Sequence, residues 1–198
     1  MDIKQHLNRS IEQWNLLKHP FYQAWSNGQL PITTLRTYAE EYGAFIAQLP
    51  EGWQTLNDRE TVQEEREHAE LWDNFAAGLD THVGAAQIPA VKDLVNESRM
   101  AFADPISALG ALYAFEVQQP ATAQSKLAGL RAFYHLSPAI EPYFEVHSHN
   151  AHEAEKLLRR IQQLSVADQR RAVQACELMS RALWDALSGI YDEKCVSN

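Results

Sequence analysis

The sequence predicts an all-α protein, a single compact bundle of about seven to nine helices. Three observations carry this. Apolar residues recur at helical spacing in segment after segment between proline and glycine punctuation. No stretch of four or more residues alternates apolar and polar between turn signals, as a half-buried strand would. Hydrophobic residues make up 45% of the 198 positions, enough for one sizeable core.

The elements follow in order. Residues 2 to 17 place Ile3, Leu7, Ile11, Trp14 and Leu17 near a helical period. Pro20 opens a short helix with Phe21, Tyr22 and Trp25, which the run Ser26-Asn27-Gly28 ends. Pro31 starts the next, with Leu35, Tyr38, Tyr42, Phe45 and Leu49 spaced by three and four. Asp58 is the expected N-cap of a helix running to about Gly78. Helices are expected near 88–103 and 105–132, the second bent at Pro120. Long helices near 141–164 and 166–191 complete the chain.

Length suggests one domain spanning residues 1–198. The net charge of −9, with 17 scattered basic residues, counts against nucleic acid as a partner. The closest basic pairs, Arg159-Arg160 and Arg170-Arg171, suit exposed helix faces. No apolar run approaches the roughly 20 residues that span a bilayer. The N-terminal MDIKQHLNRSIEQW lacks a signal-type apolar core, so a cytoplasmic location is expected. Cys176 and Cys195 have neither metal-type spacing nor a disulfide framework.

Helical angles, at about 100° per residue, select polar residues that share a face with the core. Taking Glu64 as zero, His68 lies at about 40°, on the stripe of Leu71, Phe75 and Leu79. Inward Glu and His four apart suit a helix-bundle metal site, and equally a solvated first turn. Glu116 interrupts the apolar face of ISALGALYAFEVQQP, so it needs a cation, a metal or strong donors. Lys126 is a possible ion-pair partner for it. In YFEVHSHNAHEAEKLL, His147 continues the face of Ala151, Ala154, Leu158 and Ile161, while His149 and His152 fall on the far side. His147 is therefore expected inside, and the other two histidines in solvent.

Four segments in this order resemble the haem-oxygenase-like helical superfamily: HPFYQAWSNGQLPITTLRTYAEEY, EEREHAELWDNFAAGL, ALYAFEVQQPATAQSKLAGL and YFEVH. That superfamily includes TenA thiaminases and pyrroloquinoline-quinone synthase. The resemblance is nearest to its CADD-type di-iron oxidases, which make p-aminobenzoate, and it covers about residues 15 to 165. It implies Glu64, His68, Glu116 and His147 as metal ligands. It implies Tyr22 as the tyrosine consumed as precursor and Lys126 as the amino donor. Ungapped, the positions of two further ligands fall on Ala151 and Ala154, which cannot bind metal.

The resulting expectation is an oxygen-dependent oxidase holding one Fe or Mn ion. Its partner is a small-molecule substrate, or none if the protein modifies itself, and a homodimer is expected. The alternative is a metal-free small-molecule binding protein or cofactor-independent enzyme, with Glu116 paired to Lys126 or to a ligand. A thiaminase is disfavoured, because neither cysteine falls in the segments that resemble the family's pocket.

Overall fold

A computed structural model describes residues 2–196. It is helical throughout, with no strand among the described residues. The α-helices are α1 (Ile3–Glu12), α2 (Pro20–Ser26), α3 (Ile32–Ile46), α4 (Leu49–Thr55), α5 (Arg59–Ala77) and α6 (Pro89–Phe102). They continue as α7 (Pro105–Glu116), α8 (Gln119–Phe133), α9 (Pro142–Ser148), α10 (His152–Gln162) and α11 (Val166–Val196). Short 3-10 turns lie at Leu16–Lys18 and Pro138–Ile140. No helix among the described residues is long and apolar enough to cross a membrane.

Two expected rods are each broken in two, and both breaks serve the site. Residues 105–133 part at Val117 and Gln118. Helix α8 restarts with Pro120 in its first turn, where the missing N–H costs no bond. The Gln118 side chain stitches the break: it donates to the Ala114 carbonyl at 2.9 Å and accepts from Leu16 N at 2.9 Å. The expected 141–164 helix parts at residues 149–151. There Asn150 turns the chain, accepting from His152 N at 3.3 Å and donating to the Glu153 carboxylate at 2.7 Å. With each bent rod taken as one helix, the described residues form nine helices, within the expected range.

Caps fix where the site helices begin. Asp58 accepts from Thr61 N at 3.3 Å at the start of α5, as expected. Asp104 does the same for α7, accepting from Ser107 N at 2.9 Å. Helix α7 is then buried on every side from Ala108 to Glu116, with α11 packed along it. Gly110 permits that approach, since a Cβ there would stand 1.9 Å from the Ala172 carbonyl oxygen. The buried length of α7 thus carries one carboxylate, Glu116, into the molecule's interior.

Candidate metal centre

Helix α5 buries Thr61, Val62, Glu65, Trp72, Phe75 and Ala76. Measured from Glu64, that face is centred at about 80–100°, on Glu65 and Trp72 rather than on Glu64. The sequence reading drew the stripe through Leu71, Phe75 and Leu79 and left out Trp72 and Ala76, which shifted its centre by one residue. Glu65 is consequently the interior carboxylate of α5, only 2% exposed. Its Oε1 lies 3.4 Å from Nδ1 of His68, which is mostly shielded.

Three further elements converge on this pair. Glu116 ends α7, buried, with its Oε1 bonded to nothing. His147 on α9 is buried, its ring 4.3 Å from that of His68. On α10, Glu153 is buried, and its Oε1 lies 3.3 Å from Nε2 of the exposed His152. His152 also comes within 3.9 Å of Glu64 Oε2, an oxygen that is enclosed and without a hydrogen-bond partner. Ligand atoms of Glu64, His152 and Glu153 lie within 4.8 Å of one another.

Of the expected ligands, His68 and His147 are brought together edge to face, and Glu116 lies within electrostatic reach of Glu65 and Glu153. Glu64 stands apart at the rim, with His152 and Glu153. His149 and His152 are exposed and His147 is buried, as the angles predicted. His152 nevertheless turns back onto two carboxylates. Sequence reasoning did not place Glu65 and Glu153 in the interior, where the structure buries both. Trp72 was available as a signal for the first. The second had none, because the break at 149–151 resets the helical phase, and α10 then buries Glu153, Ala154, Leu157 and Ile161.

Electrostatically the interior is overloaded with negative charge. Burial, then Glu65 and Glu153, pushes the Glu116 carboxyl well above its ordinary 4.5, against only a small lowering from Trp53. Burial likewise raises Glu65, despite the opposing pull of His68. Burial would lower His68, but Glu65, Glu153 and Glu64 outweigh it and raise it. His147 falls to about 3, through burial and then the neighbouring His68. Three buried carboxylates are therefore gathered with one interior imidazole, His68, whose charged form Glu65 and Glu153 favour. Carboxylate and imidazole donors with unpartnered oxygens fit a bound divalent ion, which supplies the missing positive charge.

Lys126 does not pair with Glu116. Its ammonium position is fully enclosed by aromatic rings, with Nζ 5.3 Å from the Tyr22 centroid, 5.6 Å from Tyr38 and 5.1 Å from Phe144. Nζ donates to the Tyr38 hydroxyl at 3.1 Å. With no carboxylate at hand, burial lowers Lys126 from 10.5 to about 7. The Glu116–Lys126 ion pair considered from the sequence is not formed among the described residues. The Tyr22 hydroxyl lies against Tyr38 and Thr122, and burial raises it to about 12. Cys176 is buried on α11, its thiol also raised to about 12 by burial, and the Cys195 side chain lies outside the described residues.

Residues 51–184 match a family described as iron-containing redox enzymes of the haem-oxygenase type. A protein of Chlamydia pneumoniae called 4-aminobenzoate synthase is 29% identical, with 92% of each chain covered. One of the same name from Nitrosomonas europaea is 28% identical, covering 98% of this chain and 93% of that one. Among solved structures, a haem-oxygenase-like domain from Shewanella denitrificans superposes with a TM-score of 0.84 at 16% identity, over 100% of this chain and 95% of that one.

Proposed function

This chain belongs to the haem-oxygenase-like family of iron-containing redox enzymes, and we propose that it is an oxygen-dependent oxidase that forms 4-aminobenzoate, using iron or manganese. One observation carries the metal-centre reading: Glu65, Glu116 and Glu153 are buried together, with an unpartnered oxygen on Glu116. The name shared by its relatives supports the product.

In this reading Glu65, His68, Glu116, His147 and Glu153 hold the metal, and Glu64 and His152 close its outer side. Bound there, iron or manganese supplies the activation of dioxygen. The protein supplies the rest. His147 offers Nε2, because its Nδ1 must donate to the Tyr143 carbonyl oxygen, which only accepts. Tyr22 is the precursor and Lys126 the amino donor. A pKa of about 7 leaves a large fraction of Lys126 as free amine, the nucleophilic form, beside the Tyr22 ring. Phe21, Trp25 and Phe144 wall this chamber against water. A protein that consumes its own tyrosine needs no separate aromatic substrate. A homodimer in the cytoplasm completes the proposal.

The test is anaerobic reconstitution with Fe(II) or Mn(II), counting ions per chain, followed by dioxygen. 4-Aminobenzoate should appear by mass spectrometry, with matching loss of the intact Tyr22 peptide. Tyr22→Phe should bind metal but release no product. The sequence alone suggested one ion, and Glu65 and Glu153 add carboxylates beyond that set, so the count also reads one against two. Wild-type protein that binds no metal, or a Tyr22→Phe variant that still yields product, would overturn the reading.

A further inference from the structure

A cavity of about 160 Å³ opens beside the carboxylate cluster, between α1, the α7–α8 break and the start of α10. Its inner wall includes Glu116 and Tyr113, and its outer wall Ala151, Ala154, Lys4 and Glu155. Glu116 lines the inner end of this cavity though only 4% exposed, and its Oε1, enclosed and without a hydrogen-bond partner, lies just behind the cavity wall. At about 30 Å³ per water, the space holds a short file of water molecules. Ala151 is exposed while Ala154 is buried, so the two alanines line the passage from surface to interior.

We propose that this gap is the inlet through which a divalent cation reaches the buried carboxylates, kept open by the small side chains of Ala151 and Ala154. The proposal rests on the metal-centre reading above. It also gives a role to the two residues that, as ligands, contribute nothing. An alanine removes a donor, but at the mouth of a passage it removes an obstruction. Glu155 at the rim places negative charge at the mouth, which draws a cation inward, and Glu116 offers a carboxyl group at the inner end of the path. Lys4 stands at the same rim and sets how much that attraction is offset.

Two measurements separate the inlet from the centre it serves. Cobalt(II) uptake by metal-free protein, followed by its visible absorption in stopped flow, reads the rate of access. Peptide mapping after brief treatment with a water-soluble carbodiimide and a small amine reads access to the Glu116 carboxyl directly, without any metal. Ala154→Leu should slow cobalt uptake at least tenfold while leaving the final number of ions unchanged, and should protect Glu116 from labelling. Ala151→Trp blocks the mouth from the exposed side and should do the same, which keeps the test valid if Ala154→Leu fails to fold. Wild-type rates of uptake and labelling in folded Ala151→Trp would overturn the inlet. Wild-type protein that takes up no cobalt would defeat the metal centre and the cation inlet together, whereas fewer ions at equilibrium in Ala151→Trp would make Ala151 part of the centre's support and overturn the inlet alone.

Discussion

His147 donates its Nδ1 proton to the Tyr143 carbonyl oxygen one turn back, at 2.7 Å, and that single bond fixes the tautomer. The other nitrogen is left with its lone pair, on a ring packed edge-on against His68. A helix of only seven residues thus presents a neutral imidazole to His68, which in turn lies against Glu65.

His147→Ala should therefore weaken Fe(II) or Mn(II) binding by about 100-fold or more, since loss of even an outer partner costs about 10- to 100-fold. Competition against a chelator of known affinity measures it. Unchanged affinity would place the metal outside the His68–His147 pair.

Glu116→Gln removes one of the mutually repelling buried carboxylates while keeping its shape. The metal-free variant should be more stable than wild type by about 1–3 kcal/mol, a rise in melting temperature of roughly 2–10 °C for a chain this size. The gain on adding metal should shrink, because saturating ligand at about 100 times its dissociation constant stabilises by only about 2.7 kcal/mol and this variant binds less tightly. Thermal melts with and without Mn(II) read both. A metal-free variant less stable than wild type would show that Glu116 is satisfied within the protein.

Lys126 gives the molecule a predictable pH dependence. Its folded value, about 7, lies below its ordinary 10.5, so between these values the unfolded chain holds the extra proton. Stability contributed by this residue should rise with pH across that window, with the full cost present below about pH 7. At about 1.4 kcal/mol per pKa unit the cost is roughly 2–5 kcal/mol. Lys126→Met should stabilise the protein near neutrality and flatten the slope between pH 7 and 10 in denaturant titrations. An unchanged slope would mean that Lys126 is charged and paired in solution.

Gly110→Ala should be among the most damaging single-carbon additions available. The new Cβ would meet the Ala172 backbone at 1.9 Å, and backbone cannot rotate away as a side chain can. A loss of about 3–5 kcal/mol is expected, from forcing α7 off α11. Urea unfolding measures it, and a loss below about 1 kcal/mol would show that the two helices slide freely.

Legibility divided along a physical line. Most of the helices, the Asp58 cap and the burial of Glu116 and His147 follow from local periodicity and from the cost of an isolated charge in an apolar run, both written in the sequence, whereas the short α4 was not foreseen. Asp58 shows this at α5 and the all-apolar flank of Glu116 shows it at α7. Which carboxylates lie inside did not follow in the same way. Choosing Glu65 over Glu64 depends on a difference of about 100° around α5, which is settled by the helices packed against Trp72. Burying Glu153 depends on the turn at Asn150, which resets the phase of α10 through two side-chain hydrogen bonds. Periodicity predicts a face only while a helix is continuous. Where it breaks, the side chains that face inward are chosen by what the neighbouring helices leave room for, and that is decided in three dimensions.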